Sequence, residues 1–269
     1  MVLAEKKGVV AVEKFIYKKS AGITALAASM YEFTYKKHAH KEYAIGVTLR
    51  GIQRYHLDGS LQLSHKGGVM FFNPEQAHDG MAHDDAGLDY VMLYIDPQLF
   101  LEVSEKKEII KFSTPIVYDK ILQQKVIRLA NAILNKKGED VCSELLLSLT
   151  DSLVQTNLSQ EYKKDNVLIR KAKEMLRANL LAVPKLDDIS GELDLSKYQF
   201  IRIFNAHTGI SPYQYFLNSK LEQAKQLIER KRDIYAAVAE CGFVDLPHLN
   251  KHFKSVYGTT AYEYLSNLN

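Results

Sequence analysis

Residues 186 to 209 read LDDISGELDLSKYQFIRIFNAHTG and residues 234 to 258 read IYAAVAECGFVDLPHLNKHFKSVYG, two versions of one unit. Each copy opens on a short amphipathic helix and passes a turn to a polar or turn residue, Ser196 or Asp245. It then runs through a second helix to a phenylalanine and, a few residues on, a glycine: Phe204 with Gly209, Phe253 with Gly258. Ser and Asp side-chain oxygens satisfy the free N–H groups at a helix start, and glycine suits the positive φ that ends one. The repeat therefore confines the last hundred residues to an all-helical arrangement. Candidate helices cover 167–180, 186–193, 197–207, 213–230, 235–241, 246–256 and 260–267, with breaks at Pro184, Gly209 to Pro212, Arg232-Asp233, Gly242 and Gly258.

A short helix, a turn and a second helix form the unit whose second helix fits the DNA major groove while the first braces it across the backbone. Two such units joined by the long helix 213–230 would set their second helices about 34 Å apart on one DNA face. Charge points the same way. The chain holds 35 basic and 32 acidic residues, and residues 166–269 hold 14 and 11 of them, so the whole net excess of +3 sits in this half.

From about residue 9 to residue 95 the pattern is different: ITALAASMYEF, YAIGVTLR, IQRYHL, LQLS, VMFFN and LDYVMLYI are short β-branched and aromatic runs. They are separated by KKHAH, Gly51, Asp58-Gly59, Lys66-Gly67-Gly68 and Pro74. Asp-Gly between two such runs marks a two-residue hairpin, because a type I′ turn needs positive φ at both central residues. Many short strands with regular turns predict a sandwich or barrel. From Ile121 to Leu158 apolar residues return at three- and four-residue spacing, broken at Lys136-Lys137-Gly138, which predicts a helical hairpin. Its second stripe, through Leu145, Leu146, Leu149, Leu153 and Val154, suits packing on the barrel and contact with a partner subunit equally well. SQEYKKDN, residues 159–166, is polar and aperiodic and reads as a linker.

Cys142 and Cys241 have neither a second cysteine nor a histidine at metal-ligand spacing, so neither a disulfide framework nor a zinc site is expected of them. The N-terminus lacks a signal-peptide pattern and no apolar run is long enough to span a bilayer, which predicts a cytoplasmic chain with no membrane partner.

The repeated unit with its linking helix resembles the DNA-binding region of the AraC/XylS-type bacterial transcription regulators. The residues carrying the resemblance are Leu186, Ile189, Leu193, Leu195, Ser196, Phe204, Gly209, Pro212, Tyr215, Leu221, Ala224 and Leu227. In the second copy they are Ala236, Ala239, Gly242, Phe243, Asp245, His248, Phe253, Lys254, Gly258 and Tyr262, the Gly-Phe-x-Asp start being the most specific. Ser190, Gly191, Lys220, Leu249 and Ala261 depart from the family's usual residues. The resemblance implies that Tyr198, Gln199, Ile201 and Arg202 face the groove from the first reading helix, and Leu246, Pro247, His248, Asn250 and Lys251 from the second. Arg202 suits a bidentate contact to guanine, worth about 1–3 kcal/mol of discrimination, and Asn250 suits adenine.

The segment His38-Ala-His40-Lys-Glu42-Tyr43, with Gly51, Gly68, Pro74 and His78-Asp79-Gly80, is similar to the cupin-like effector domain that precedes the repeat in many such regulators. Alternation would put His38, His40 and Glu42 on one face of a strand with Tyr43 opposite. Three histidines and a glutamate suit a divalent metal, but Glu42 follows His40 by two positions where metal-binding cupins space the pair by four or five. A small-molecule pocket is therefore favoured over a metal or purely structural histidines, with His38, His40, Glu42, Tyr55, His78 and Tyr90 as its residues and no cofactor.

The expectation is an α+β chain of two domains. A cupin-like β-barrel with a helical hairpin occupies 1–158 and binds effector and, by expectation, a second copy of the chain. A linker follows over 159–165, then an all-α domain of two helix-turn-helix units over 166–269. Promoter DNA, a small-molecule effector, a homodimer partner and RNA polymerase are the partners implied, with the physical link running from the barrel through helices 121–158. The alternative is a metal-dependent cupin enzyme with a helical appendage.

Overall fold

The computed structural model describes residues 12–155, 159–161 and 166–268. Nine strands come first: β1 (Lys14–Ser20), β2 (Ile23–Met30), β3 (Thr34–His38), β4 (Tyr43–Arg50), β5 (Ile52–Leu57), β6 (Ser60–His65), β7 (Val69–Phe72), β8 (His78–Ala82) and β9 (Leu88–Ile95). Then follow α1 (Pro97–Ser104), β10 (Ile110–Phe112), β11 (Ile116–Val117), α2 (Lys120–Leu134), α3 (Glu139–Gln155) and β12 (Ser159–Glu161). The remainder is helical: α4 (Val167–Ala178), α5 (Leu186–Glu192), α6 (Lys197–Thr208), α7 (Pro212–Lys231), α8 (Ile234–Glu240), α9 (Leu246–Tyr257) and α10 (Ala261–Asn267).

The strands form a six-stranded sheet, β1-β2-β9-β4-β7-β11, and a four-stranded one, β3-β8-β5-β6. Two of the β-branched and aromatic runs, YAIGVTLR and LDYVMLYI, are β4 and β9 at the middle of the larger sheet. Both their faces are covered. Ala44, Tyr90 and Met92 point into the barrel with Tyr35, Tyr55 and Phe72, whereas Tyr43, Ile45, Val47, Val91, Leu93 and Ile95 point outward. That outward layer meets Leu122, Val126, Leu129 and Ile133 of α2 and Leu146, Leu149 and Leu153 of α3. Each buried side chain of this size contributes roughly 1.5–3 kcal/mol, so the α3 stripe belongs to the core of its own chain. Asp58 and Gly59 adopt φ of 49° and 79°, joining β5 to β6 as the hairpin turn requires.

Four local expectations are corrected. KKHAH is not a mere separator, since Lys36, Lys37 and His38 complete β3. β1 and β8 were not among the runs read as strands. β8 (HDGMA) carries Asp and Gly and too few β-formers to read as a strand, and its pairing with β3 and β5 supplies what its composition lacks. Residues 159–161 of the expected linker pair with β10, while residues 162–165 lie outside the described residues.

The seven C-terminal helices fall within two residues of their expected bounds at either end. The first unit packs Ile189, Phe200, Phe204, Tyr215 and Phe216 against Ile169, Ala172 and Leu176 of α4. The second packs Ala237, Phe243, Leu249, Phe253 and Tyr264 against Leu221, Ala224 and Ile228 of α7, in a cluster that continues into the barrel at Phe15, Tyr17 and Tyr35. The helical region is thus docked on the barrel directly. Tyr17 Oη donates to the carbonyl of Tyr257 at 2.8 Å, and Lys19 pairs with Glu229 at 2.7 Å. Lys225 pairs with Glu42 at 2.9 Å, and Lys173 and Arg177 both reach Glu75 at 2.6 Å. The hairpin of α2 and α3, through which the link was expected to run, covers the outward face of the larger sheet, apart from the docked face.

Candidate functional site

Two surfaces carry chemistry: the pair of repeated helices, and a small polar cavity inside the barrel beneath the docked face.

The repeat aligns residue for residue at a fixed offset in the sequence. Ser196 caps α6 and Asp245 caps α9, each side chain accepting from the main chain three residues on, at 3.3 and 2.7 Å. Gly209 and Gly258 end the two helices at φ of 74° and 75°. Phe200 and Phe204 correspond to Leu249 and Phe253, all fully buried. With the caps and the buried faces matched, the remaining faces match too. Tyr198 and Arg202 are exposed on α6, and Pro247 and Lys251 occupy the equivalent exposed places on α9.

Other candidates sit less freely. Gln199 lends its Oε1 to the capping box by accepting from Ser196 N at 2.9 Å, leaving its amide nitrogen for other work. Ile201, Leu246 and His248 are half-buried, and His248 Nδ1 accepts from Val244 N at 3.3 Å. Asn250 departs from its expected use. Its Oδ1 accepts from Ala261 N at 2.9 Å, tying α9 to α10, whereas a bidentate adenine contact needs both ends of the amide. Asn205 and Lys254 are exposed one turn beyond Arg202 and Lys251 on the same faces, at an i, i+3 spacing that the sequence already carries.

In the barrel, His38 at the end of β3, His40 in the β3–β4 loop and His78 at the start of β8 bring their rings together. Ring centroids are 4.5 Å apart for His38 and His78 and 5.0 Å for His40 and His78. The single-strand expectation is corrected: residues 39–42 form a loop, and Glu42 turns away to Lys225. Tyr55 is also displaced from the set, packing on Phe72 with its hydroxyl toward the carbonyl of Pro115. Tyr90 does line the cavity, bonded to Tyr35 Oη at 2.8 Å. Tyr35, Gln53, Asp79 and Tyr94 line it as well and were not anticipated, since they come from β3, β5, β8 and β9 and only the closed barrel brings them together.

Burial sets the electrostatics here. It depresses all three imidazoles below the usual histidine range, His38 to about 4 with help from His40, and His78 with help from both neighbours. Burial pushes the Glu42 carboxyl up, but the Lys225 ammonium and His40 outweigh it and hold the group at about 2. Burial alone would lower the Lys225 ammonium, and Glu42, with Tyr264, Tyr257 and Glu229, more than reverses this. The two therefore form a charged pair under the docked face. Among the described residues, no helix is long and apolar enough to cross a membrane.

Comparison with known proteins gives two domain matches. Residues 20–149 match the AraC-like ligand binding domain and residues 189–267 match a helix-turn-helix domain. The HTH-type transcriptional regulator YbfI of Bacillus subtilis is 25% identical over 224 residues, covering 80% of this chain and 81% of that protein. The probable transcriptional regulator LumQ of Photobacterium leiognathi is 26% identical over 46% of this chain and 56% of its own length. Among solved structures, the K231A variant of apo ToxT of Vibrio cholerae shares the fold with a TM-score of 0.63 at 13% identity, over 94% of this chain and all of that one. ToxT with an unsaturated fatty acid bound gives a TM-score of 0.61 at 13% identity, over 94% of this chain and 97% of that one.

Proposed function

This chain belongs to the AraC-type transcription regulators, a ligand-binding domain followed by a helix-turn-helix domain, and from that premise we propose that α6 and α9 read promoter DNA while the barrel on which they are docked governs how freely they do so. The observation that carries the reading is the matched exposure of Tyr198 with Arg202 and Pro247 with Lys251 on two helices capped and buried alike. Two units of one build thus present equivalent helix faces, which is what reading successive major-groove segments of one duplex requires. The relatives are regulators, and the enzyme alternative gains no support from them.

Arg202 is the base reader in this proposal and Lys251 a phosphate contact. Effector control acts through the loop of residues 39–42, because His40 faces the cavity while Glu42, two residues on, holds Lys225 of α7. An occupant of the cavity that moves this loop loosens or tightens the docked helices, and a ligand shifts that balance only by its preference for one arrangement.

The test is selection of binding sites by the full chain from a random-sequence duplex pool, then mobility-shift titration. Arg202→Ala should cost about 1–3 kcal/mol, concentrated at one base position. Lys251→Ala should weaken all sites alike and lower the salt slope by about one. A pool that yields no enriched sequence would overturn the proposal.

A further inference from the structure

The barrel cavity measures only about 20 Å3. That is room for a single water-sized occupant, against about 300–1,000 Å3 for pockets that take drug-sized molecules. His38, His40 and His78 each offer it a ring nitrogen, and these atoms all lie within 4.8 Å of one another. All three rings are held by the same kind of bond. Each Nδ1 meets a main-chain carbonyl two residues away: Lys36 at 2.7 Å, Glu42 at 2.9 Å and Gln76 at 2.8 Å. A carbonyl oxygen only accepts, so each Nδ1 carries a proton and each neutral ring keeps its lone pair on Nε2. Gln53 Oε1, on the same cavity wall and buried, has no hydrogen-bond partner among the described residues. Electron-pair donors thus gather around a space the size of one ion.

We propose that His38, His40 and His78 bind one divalent transition-metal ion of the zinc class, and that its occupancy sets the docking of the reading helices. Three imidazoles with one position open is a ligand set that zinc, nickel and cobalt accept, and an outer-shell carbonyl on each Nδ1 is the usual means of orienting such ligands. Metal–nitrogen bonds of about 2.0–2.1 Å in a tetrahedral site place nitrogens about 3.4 Å apart, so the rings need close by little more than an ångström. The spacing of Glu42 is then no objection, because its carboxylate serves Lys225, and Gln53 lines the same cavity.

The outer shell is what ties the ion to the docked face. Lys36 lies on β3, against which α9 packs. Glu42 holds Lys225 of α7, and Gln76 follows Glu75, which holds Lys173 and Arg177 of α4. Glu75 N also donates to the carbonyl of His40 at 2.7 Å. Drawing three rings toward one ion therefore pulls on three segments that touch three helices of the reading region. The metal site stands on its own geometry; its regulatory half rests on the proposed function.

The full chain, stripped by chelator, is titrated with Co2+ while visible d–d absorption is followed, then back-titrated with Zn2+. One saturating equivalent is expected, displaced by Zn2+ and kept in His65→Ala, whose side chain is exposed on β6. His40→Ala and His78→Ala should each weaken it at least about 100-fold, since even outer-shell losses cost about 10–100-fold. His78→Gln, with circular dichroism to verify folding, replaces any alanine variant that does not fold. Absence of a saturable equivalent, or binding unchanged in these variants, overturns the site. Mobility shifts on selected DNA in Zn2+ and in chelator should differ about 5- to 150-fold in the parent and not in His40→Ala. Equal shifts beside intact Co2+ binding overturn the regulatory half alone. A chain that takes up Co2+ yet selects no DNA refutes the functional reading and leaves the metal site standing.

Discussion

Lys225 shows what one side chain contributes to the docked arrangement. Its side chain is 9% exposed, its ammonium lies near the rings of Tyr94 and Tyr257, and Glu42 across the interface is its ion partner. Replacing it by Met leaves Glu42 as a buried unpaired charge, which should cost about 3–5 kcal/mol in urea unfolding, and adding Glu42→Gln should recover most of that loss. An equal loss in the double variant would mean that packing, not charge, is at stake. Glu229 offers a test by pH. Burial raises its carboxyl, but Lys225, Lys19 and the Tyr264 hydroxyl together bring it below the usual 4.5. A group titrating lower in the folded than in the unfolded chain stabilises fully above its unfolded value and loses that contribution as pH falls through its folded one. Glu229→Gln should therefore flatten the acid limb of a stability profile as pH falls below about 5, leaving the slope near neutrality unchanged. Neither residue was legible as a contact. On α7 both read as ordinary helix charges, and their partners lie 183 and 210 residues away in the chain.

At the scale of elements, legibility followed locality. Ser196, Ser211 and Thr260 each sit three residues before a Gln or Glu, and all three form complete capping boxes at the starts of α6, α7 and α10. Local chemistry fixes such boundaries, and the expected starts at 197, 213 and 260 fall within one residue of them. Thr260→Ala should accordingly cost about 1 kcal/mol, read as a lower melting temperature, while Thr260→Ser should cost little. β8 and the end of β3 obey no such local rule, because they are strands only by virtue of their neighbours. The barrel site shares that limit. The histidines were visible as a set, but whether Glu42 and Tyr55 joined them depended on where the loop of residues 39–42 turned and on which side of Phe72 the Tyr55 ring lay. The same holds for Asn250. Its residue type suited adenine, and only the approach of α10 shows its oxygen already engaged.

Across the whole molecule, the apolar cluster that fills the barrel is also the core of the second helix-turn-helix unit. Phe15 on β1 stacks edge-on with Phe33 and Tyr35, and a Cβ placed on Gly258 would lie 2.5 Å from its ring. Tyr17 meets Tyr264 edge-on at 5.0 Å. Units sharing a core in this way cannot unfold independently without exposing it, so calorimetry of the full chain should give one cooperative transition, with calorimetric and van't Hoff enthalpies equal. The other end of the interface carries charge, where Glu75 bonds both Lys173 and Arg177 beside Ala77. Glu75→Lys places three cations together and should free α4 and the first unit while the shared core still holds the second. The expected thermogram then gains an earlier, smaller transition, and amide exchange accelerates in α4, α5 and α6 but not in α9 or α10. If the single transition merely shifts downward, the two units are coupled to each other more tightly than either is to the barrel, and effector control must move them as one body.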